Sequence, residues 1–503
     1  RGHLLAAMRY LGNEGAVTSE TSLGYSVSGG IFRLSLCREP PPELGKRAAL
    51  PQEAVVAEER RPHDIIIFGA TGFTGRLTVE HLDALIASGK TQVRSWAVVG
   101  RNRQRLESLA SRCRAAPAIL VQGQNLEEVT QQATVAISAA GPYSVCGEAV
   151  VRACVRSNTH YVDLSGETVW MHNMLQRYHE EAKSKGLVLV NACAQVCAID
   201  DINCYLLAKH LGPLKAFREY FFSYGGTTGG TFLAGATNME GMTEERFQIF
   251  TDPFNLGGRR SCGVRPEDYD CSVAAQDPVY PALWLFPAYN GHTGGRILRR
   301  SCELFEQGEG PSYGSQLSVM IRDAVTNRKQ AEGTTASMAP PKSAEEAKFA
   351  AGMMKQQVEQ GFVPKPGDGP PPETRALYFS EVFAVAEAED GRWAHVHYTG
   401  PEAYEVTAMA AVTGALVILE EPEVKRHCGL VTPAYAFHNT SFVQRLQEVA
   451  FASGKGQKMS FRLSDGKPSE ETLRDAIMRK TKGAAQGQEK IFSGKVSAWV
   501  TPA

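Results

Sequence analysis

Three glycines, Gly69, Gly72 and Gly75, follow the apolar run Ile65-Ile66-Ile67-Phe68, which opens on Asp64. Such a run predicts a strand buried on both faces of a parallel sheet. Leu77, His81, Leu82 and Leu85 come next, close to one face of a helix. Strand, glycine turn and helix, in that order, can hold the pyrophosphate of a dinucleotide. The first glycine allows the tight turn, the second lets backbone approach the phosphates, and the third lets the helix pack near the strand. Free N–H groups at the helix start add a partial positive charge. The expected contacts are Gly69, Ala70, Thr71, Gly72, Phe73, Thr74 and Gly75. The competing reading is an ordinary strand, turn and helix that binds nothing.

The end of the next strand distinguishes the two nicotinamide cofactors. Ser95 to Val99 reads as that strand, and Gly100-Arg101 follows at once. An NAD site usually places an acid here to grip the ribose hydroxyls. This chain has Arg101 instead, with Arg103 and Arg105 beyond. A guanidinium pairs in bidentate fashion with a 2′-phosphate, so NADPH is expected over NADH, with Arg101 as the contact. Arg103 and Arg105 could simply solvate the next helix.

Further strands read at Ala118–Gln122, Val135–Ala140, His160–Leu164 and Leu187–Val190, with helices over 103–114, 147–157 and 168–185 between them. In open parallel sheets the ligand lies beyond the carboxyl ends of the strands. Ala140, Gly141, Pro142, Tyr143, Ser165 and Gly166 are therefore expected beside the nicotinamide half. Tyr143 is the candidate catalytic residue: it could donate a proton, or only stack. The expected architecture is α/β, with a doubly wound Rossmann domain over 63–200 and a mixed α/β domain over 201–452. Residues 1–62 read as an extension and linker, either flexible or a targeting leader, and 453–503 as a C-terminal extension.

A formal net charge of -1 argues against a general nucleic-acid binder. No apolar stretch reaches about twenty residues, so no spanning helix is expected. Eleven scattered cysteines without a C-x-x-C pair suggest free thiols in a reducing compartment, with no metal site. Cys193 and Cys197 read as small packed residues.

In the second domain, Phe217–Tyr224 reads as a strand. The loop Gly225–Thr231 after it could bind an anion or close over the sheet edge. Residues 252–295 read as loop-rich, with Trp284, Phe286 and Tyr289 as one apolar cluster. Arg296, Arg299 and Arg300 read as a solvated helix face or a phosphate contact. Leu377–Ala388 and Trp393–Tyr398 predict a hairpin turning at Glu389-Asp390-Gly391. Thr407–Leu419 predicts a buried apolar helix. The tail holds a helical stretch at Glu470–Met478 and a strand-like Lys495–Val500.

The strings FGATGFTG, VVGRNRQRL, AAGPYSVCGE and YVDLSGE resemble the saccharopine dehydrogenase-like oxidoreductases, a group that includes bacterial trans-acting enoyl reductases. Gly229-Gly230-Thr231, Leu298–Ser301, Gly400–Ala408 and Leu430–Ala434 extend the resemblance over roughly residues 63–450. It implies an NADP-type Rossmann domain, a second mixed domain and a reductase role in lipid or glycolipid metabolism. The family's usual Gly-Phe-Asp-Ser turn is replaced by Asn191–Asp201. Region 305–360 is polar, as in the soluble bacterial enoyl reductases. The expectation is an NADPH-dependent oxidoreductase acting on an activated double bond of a small-molecule or acyl-lipid substrate. The alternatives are a C–N dehydrogenase and a catalytically silent NADP-binding subunit of a larger assembly. An intracellular location is expected, in the cytoplasm or an organelle such as the mitochondrion, with peripheral lipid association.

Overall fold

The computed structural model describes residues 60–123, 125–261, 263–452 and 456–492. The leader reading and the strand-like Lys495–Val500 lie outside the described residues. In chain order the strands are β1 (His63–Phe68), β2 (Trp96–Gly100), β3 (Ala118–Val121), β4 (Ala133–Ser138), β5 (His160–Asp163), β6 (Val188–Val190) and β7 (Leu214–Phe221). There follow β8 (Ala275–Gln276), β9 (Trp284–Pro287), β10 (Ser318–Val325), β11 (Ser380–Ala388), β12 (Trp393–Gly400), β13 (Gly429–Val431) and β14 (Ser460–Asp465).

They form two seven-stranded sheets. The first runs β13-β6-β5-β4-β1-β2-β3 with every pair parallel. Winding reverses between β1 and β4, which opens a crevice beyond their carboxyl ends. Ile65, Ile66 and Ile67 are fully buried, as a strand covered on both faces requires. The second sheet runs β14-β12-β11-β7-β10-β9-β8. Only β7 and β10 pair in parallel there, so this sheet is mixed. The β11–β12 hairpin turns where Glu389-Asp390-Gly391 predicted it, with Gly391 at φ 86°.

The first sheet takes strand β13 from far along the chain. Its cover includes the helix Ala403–Glu420, which packs on the helix Phe73–Ala87 and across β4 and β5. By length and composition this helix could cross a bilayer, but it lies in the core. One apolar core joins it to both sheets, running from Ile65 and Val135 through Ile199 and Leu207 to Phe217 and Val396.

Several expectations are corrected. Arg296, Arg299 and Arg300 are buried, at 1%, 7% and 8% exposure. They lie on the long helix Gly291–Gln307 and are engaged by Asp270, Asp268 and Glu303. Asp270 and Asp268, which engage Arg296 and Arg299, lie about thirty residues back in the chain, out of reach of a local reading; Arg300 pairs with Glu303 on its own helix. The polar region 305–360 contains strand β10, inside the second sheet. Trp284 and Phe286 share a small core with Val325 and Ala331, while Tyr289 lies apart from it. In the tail, β14 extends the second sheet and a helix spans Glu470–Phe492.

Candidate active site

The glycine turn is built as its spacing requires. Gly69 has φ 70°, and a Cβ there would stand 2.7 Å from the Ala139 carbonyl oxygen and 2.9 Å from the Ala140 Cα. The turn after β1 therefore rests on the end of β4, bringing two groups of predicted contacts together. A Cβ on Gly75 would come within 2.1 Å of the Gly69 carbonyl oxygen, the helix-on-strand contact in its tightest form. Ala70 N–H donates to the Val99 carbonyl and ties the turn to β2.

The helix Phe73–Ala87 starts from Gly72 with no side-chain cap and no acid in its first turn. Its first N–H groups cannot bond within the helix. Thr71, Gly72 and Thr74 are half-buried, while Phe73 points into the protein. Its ring meets Tyr404 edge-on at 5.6 Å and is pressed by Gly369. Arg101, just past β2, is exposed and pairs with no acid among the described residues. Arg76, which the sequence reading passed over, lies near: it donates to the Thr71 carbonyl at 2.9 Å and to the Gly367 carbonyl at 3.3 Å. A bare helix start, a glycine cradle and an unpaired guanidinium fit a phosphorylated dinucleotide.

Tyr143 is corrected as a proton donor. It is the first residue of the helix Tyr143–Arg156, which begins earlier than its sequence pattern implied. Its hydroxyl donates to the Ser138 carbonyl at 2.7 Å and accepts from Leu164 N–H at 3.2 Å. Burial pushes the phenol pKa well up, with Asp163 adding to the effect. The ring packs on Trp170 at 5.2 Å. Tyr143 thus joins the ends of β4 and β5. Tyr143→Phe is expected to cost about 1–2 kcal/mol of stability, since it strands a backbone N–H, and to leave NADPH affinity within twofold. Denaturant melts and nucleotide titration check both.

Gly141 and Gly166 are exposed, and Ala140 and Pro142 half-buried, where a ligand could meet them. Ser165 is not so placed: it is fully buried, and its Oγ accepts from Glu167 N–H at 3.1 Å. Glu167 accepts from Tyr143 N–H at 2.7 Å and Ser144 N–H at 2.8 Å, so it caps that helix. Asp163 is fully buried, which pushes its pKa up to about 6 despite bonds from Ser165 and Ala192 N–H and the Asn191 amide. In the rewritten stretch Asn191–Asp201, Asn191 and Ala192 thus clasp the end of β5, and from Gln195 onward it is the start of the helix Gln195–Leu211. Cys193 and Cys197 are fully buried, as expected of packed thiols.

The second glycine loop closes on itself. Thr228 caps the helix Gly229–Glu240, its N–H donates to the Tyr404 hydroxyl at 2.9 Å, and Gly229 abuts the Lys365 backbone.

The segment from Tyr289 to Gly294 carries the polar groups that sequence reasoning missed. Tyr289 is 62% exposed, yet desolvation raises its phenol pKa, with Tyr404 and Cys197 nearby. Asn290 Nδ2 donates to Asp200 at 2.8 Å and reaches Glu219 at 3.5 Å. Burial pushes both carboxyls up; the charge of Glu219 raises Asp200 further, whereas a hydrogen bond with Asp200 pulls Glu219 part of the way back. His292 Nδ1 lies 2.9 Å from Asp270 and Nε2 3.0 Å from Thr168 Oγ1. Thr293 Oγ1 donates to the Gly166 carbonyl at 3.1 Å, docking the segment on the loop after β5. The signal was present in Asn290-Gly291-His292-Thr293, but its glycines read as loop.

This fold and mouth define a dinucleotide-binding oxidoreductase. Residues 65–190 match the saccharopine dehydrogenase NADP binding domain. It is 26% identical over 402 residues to a trans-acting enoyl reductase of Mycobacterium tuberculosis, covering 75% of this chain and 94% of the relative. A trans-acting enoyl reductase of Mycobacterium leprae is 27% identical over 407 residues, covering 76% and 95%. Among solved structures, the apo saccharopine dehydrogenase (L-Glu forming) of Saccharomyces cerevisiae aligns with 80% of this chain and 100% of its own, at TM-score 0.44 and 12% identity.

Proposed function

We propose that the protein is an NADPH-dependent reductase of an activated carbon–carbon double bond in an acyl or lipid substrate. The observation that carries the cofactor half is the uncapped helix start at Gly72, set against a glycine cradle with Arg101 beside it. Backbone N–H groups of Phe73, Thr74 and Gly75 would hold the pyrophosphate, and Arg101 the 2′-phosphate. Gly141, Pro142 and Gly166 would flank the nicotinamide, and Tyr289 would wall the cleft. NADPH supplies a hydride when bound; the chain supplies position, dry walls and a proton.

The enoyl half is supported by the activity for which the mycobacterial relatives are named. An acyl substrate is also supported by large apolar side chains left in water: Phe349, Met353 and Phe362 are 73%, 46% and 71% exposed.

One experiment tests both halves. NADPH and NADH are titrated against the full chain, followed by enoyl thioesters of increasing chain length and by amino-acid adducts. NADPH is expected to bind tighter by tenfold or more, about 1.4 kcal/mol. Arg101→Ala is expected to erase that preference without weakening NADH. Turnover should appear with enoyl thioesters and rise with chain length. Turnover of the amino-acid adducts alone would instead favour C–N chemistry, and binding without turnover of any acceptor a silent subunit.

A further inference from the structure

We propose that His292 is the acid that delivers the proton accompanying hydride transfer, and that Asp270 positions it. This rests on the reductase reading above and names a residue for its second half.

The argument begins with placement. Thr168 is the first residue of the helix Thr168–Ser184, three residues beyond Ser165 at the end of β5. His292 Nε2 lies 3.0 Å from its hydroxyl, and the neighbouring Thr293 is bonded to Gly166. His292 therefore stands on the flank of the crevice assigned to the nicotinamide. The imidazole side chain is 22% exposed, whereas Thr168 is 1% exposed. Of the two, only His292 can meet a ligand.

Its orientation is fixed from behind. Asp270 Oδ2 lies 2.9 Å from Nδ1. Asp270 is itself gripped by Arg296, whose Nη1 and Nη2 donate to its two oxygens at 3.0 and 3.1 Å. Burial opposes ionisation of Asp270, but His292 and Arg296 hold its pKa well below the usual carboxylate range. An ionised Asp270 accepts a hydrogen bond from Nδ1–H, which keeps that proton on Nδ1 and leaves Nε2 as the exchanging nitrogen, which accepts from the Thr168 hydroxyl at rest. Phe250 stacks on the ring at 4.2 Å.

The charged groups facing the imidazole are Asp270 from the preceding loop and Arg296 from its own helix. Thr168 and Phe250 bring no charge. Burial first, and Arg296 after it, pull the His292 pKa below the ordinary histidine value, and Asp270 offsets them only in part. Of the other polar candidates, the Tyr143 hydroxyl is occupied by backbone, and Asp200 and Glu219 are sealed; the accessible Tyr289 phenol is a weaker acid than an imidazolium, and desolvation weakens it further.

In the step, one carbon of the substrate double bond accepts the hydride. The electron pair of that bond forms a C–H bond at the other carbon with the proton on Nε2. Imidazolium becomes imidazole and regains its proton from water. NADPH is the reductant and is oxidised by two electrons.

The test uses the full chain with isotope-labelled histidine. The His292 resonance, assigned with His292→Gln, is titrated against pH in the presence of NADPH and of NADP+. The oxidised ring carries a positive charge, so the His292 midpoint is expected to lie lower with NADP+ by about half a unit or more. Asp270→Asn should lower the midpoint in both states. In turnover, His292→Gln should cut kcat by about 10²–10⁴-fold, remove the His292 limb of the pH profile and keep the NADPH Kd within twofold. Equal midpoints with the two nucleotides, or His292→Gln turning over within threefold of the parent, would overturn the proposal alone. Failure of both nucleotides to bind would overturn the reductase reading and this proposal with it.

Discussion

Gly75→Ala is expected to abolish NADPH binding while the second sheet stays folded. The added methyl would lie 2.1 Å from the Gly69 carbonyl oxygen and 2.8 Å from its carbon. Both are backbone atoms, so no side chain can swing aside. Either the helix Phe73–Ala87 moves off β1 or the turn opens, and each outcome displaces the N–H groups that face the phosphates. Overpacking of this kind costs about 1–3 kcal/mol in stability. The loss in binding should exceed about a hundredfold, because every N–H contact shifts together. Gly72→Ala is the informative comparison. Its methyl would meet only the Gly69 carbonyl oxygen, at 3.2 Å, so the fold should hold and affinity should fall by less. Fluorescence titration with NADPH reads both; Gly75→Ala binding within threefold of the parent would refute the cradle.

The second large effect lies in the buried arginine network. Asp268 is 4% exposed, is ion-paired with Arg260 and accepts from Arg265 N–H at 2.7 Å. Arg299 approaches it at 3.6 Å. The Phe254 ring lies 5.4 Å from the Arg260 guanidinium and 5.1 Å from that of Arg299. Burial lowers the Arg299 pKa to about 10 even with Asp268 in place. Asp268→Ala would leave two guanidinium groups without their carboxylate in a dry site. A loss of about 3–5 kcal/mol is expected. Urea unfolding measures it, and a change below about 1 kcal/mol would mean the network is solvated. Asp268→Asn should cost less, since it keeps one acceptor oxygen.

Legibility from the amino-acid order followed the range of the interactions involved. The strand–glycine–helix unit at 64–78 is largely local: Gly72 and Gly75 act on Gly69, three and six residues back, and although Gly69 also rests on Ala139 and Ala140, the strand, turn and helix fall where their spacing predicts. The β11–β12 hairpin was readable for the same reason. Arg296 and Arg299 were misread because their burial depends on Asp270 and Asp268, which reach them only through tertiary packing. Tyr143 was misassigned because being beside the crevice does not say which way a hydroxyl points; the Ser138 carbonyl decided that. His292 was overlooked because its partner Thr168 is 124 positions away.

The first sheet includes β13 at residues 429–431, and the helix at 403–420 covers β4 and β5. A ribosome finishes β1 to β6 long before it makes either piece. Until then the nascent sheet shows water an apolar face and an unpaired edge at β6, where Leu187 and Val188 await Gly429. Synthesis therefore passes through a stage of more than two hundred codons in which the nucleotide mouth exists without its support. Chaperone demand should peak in that interval, and the completed C-terminal segments, by sealing the sheet, release it.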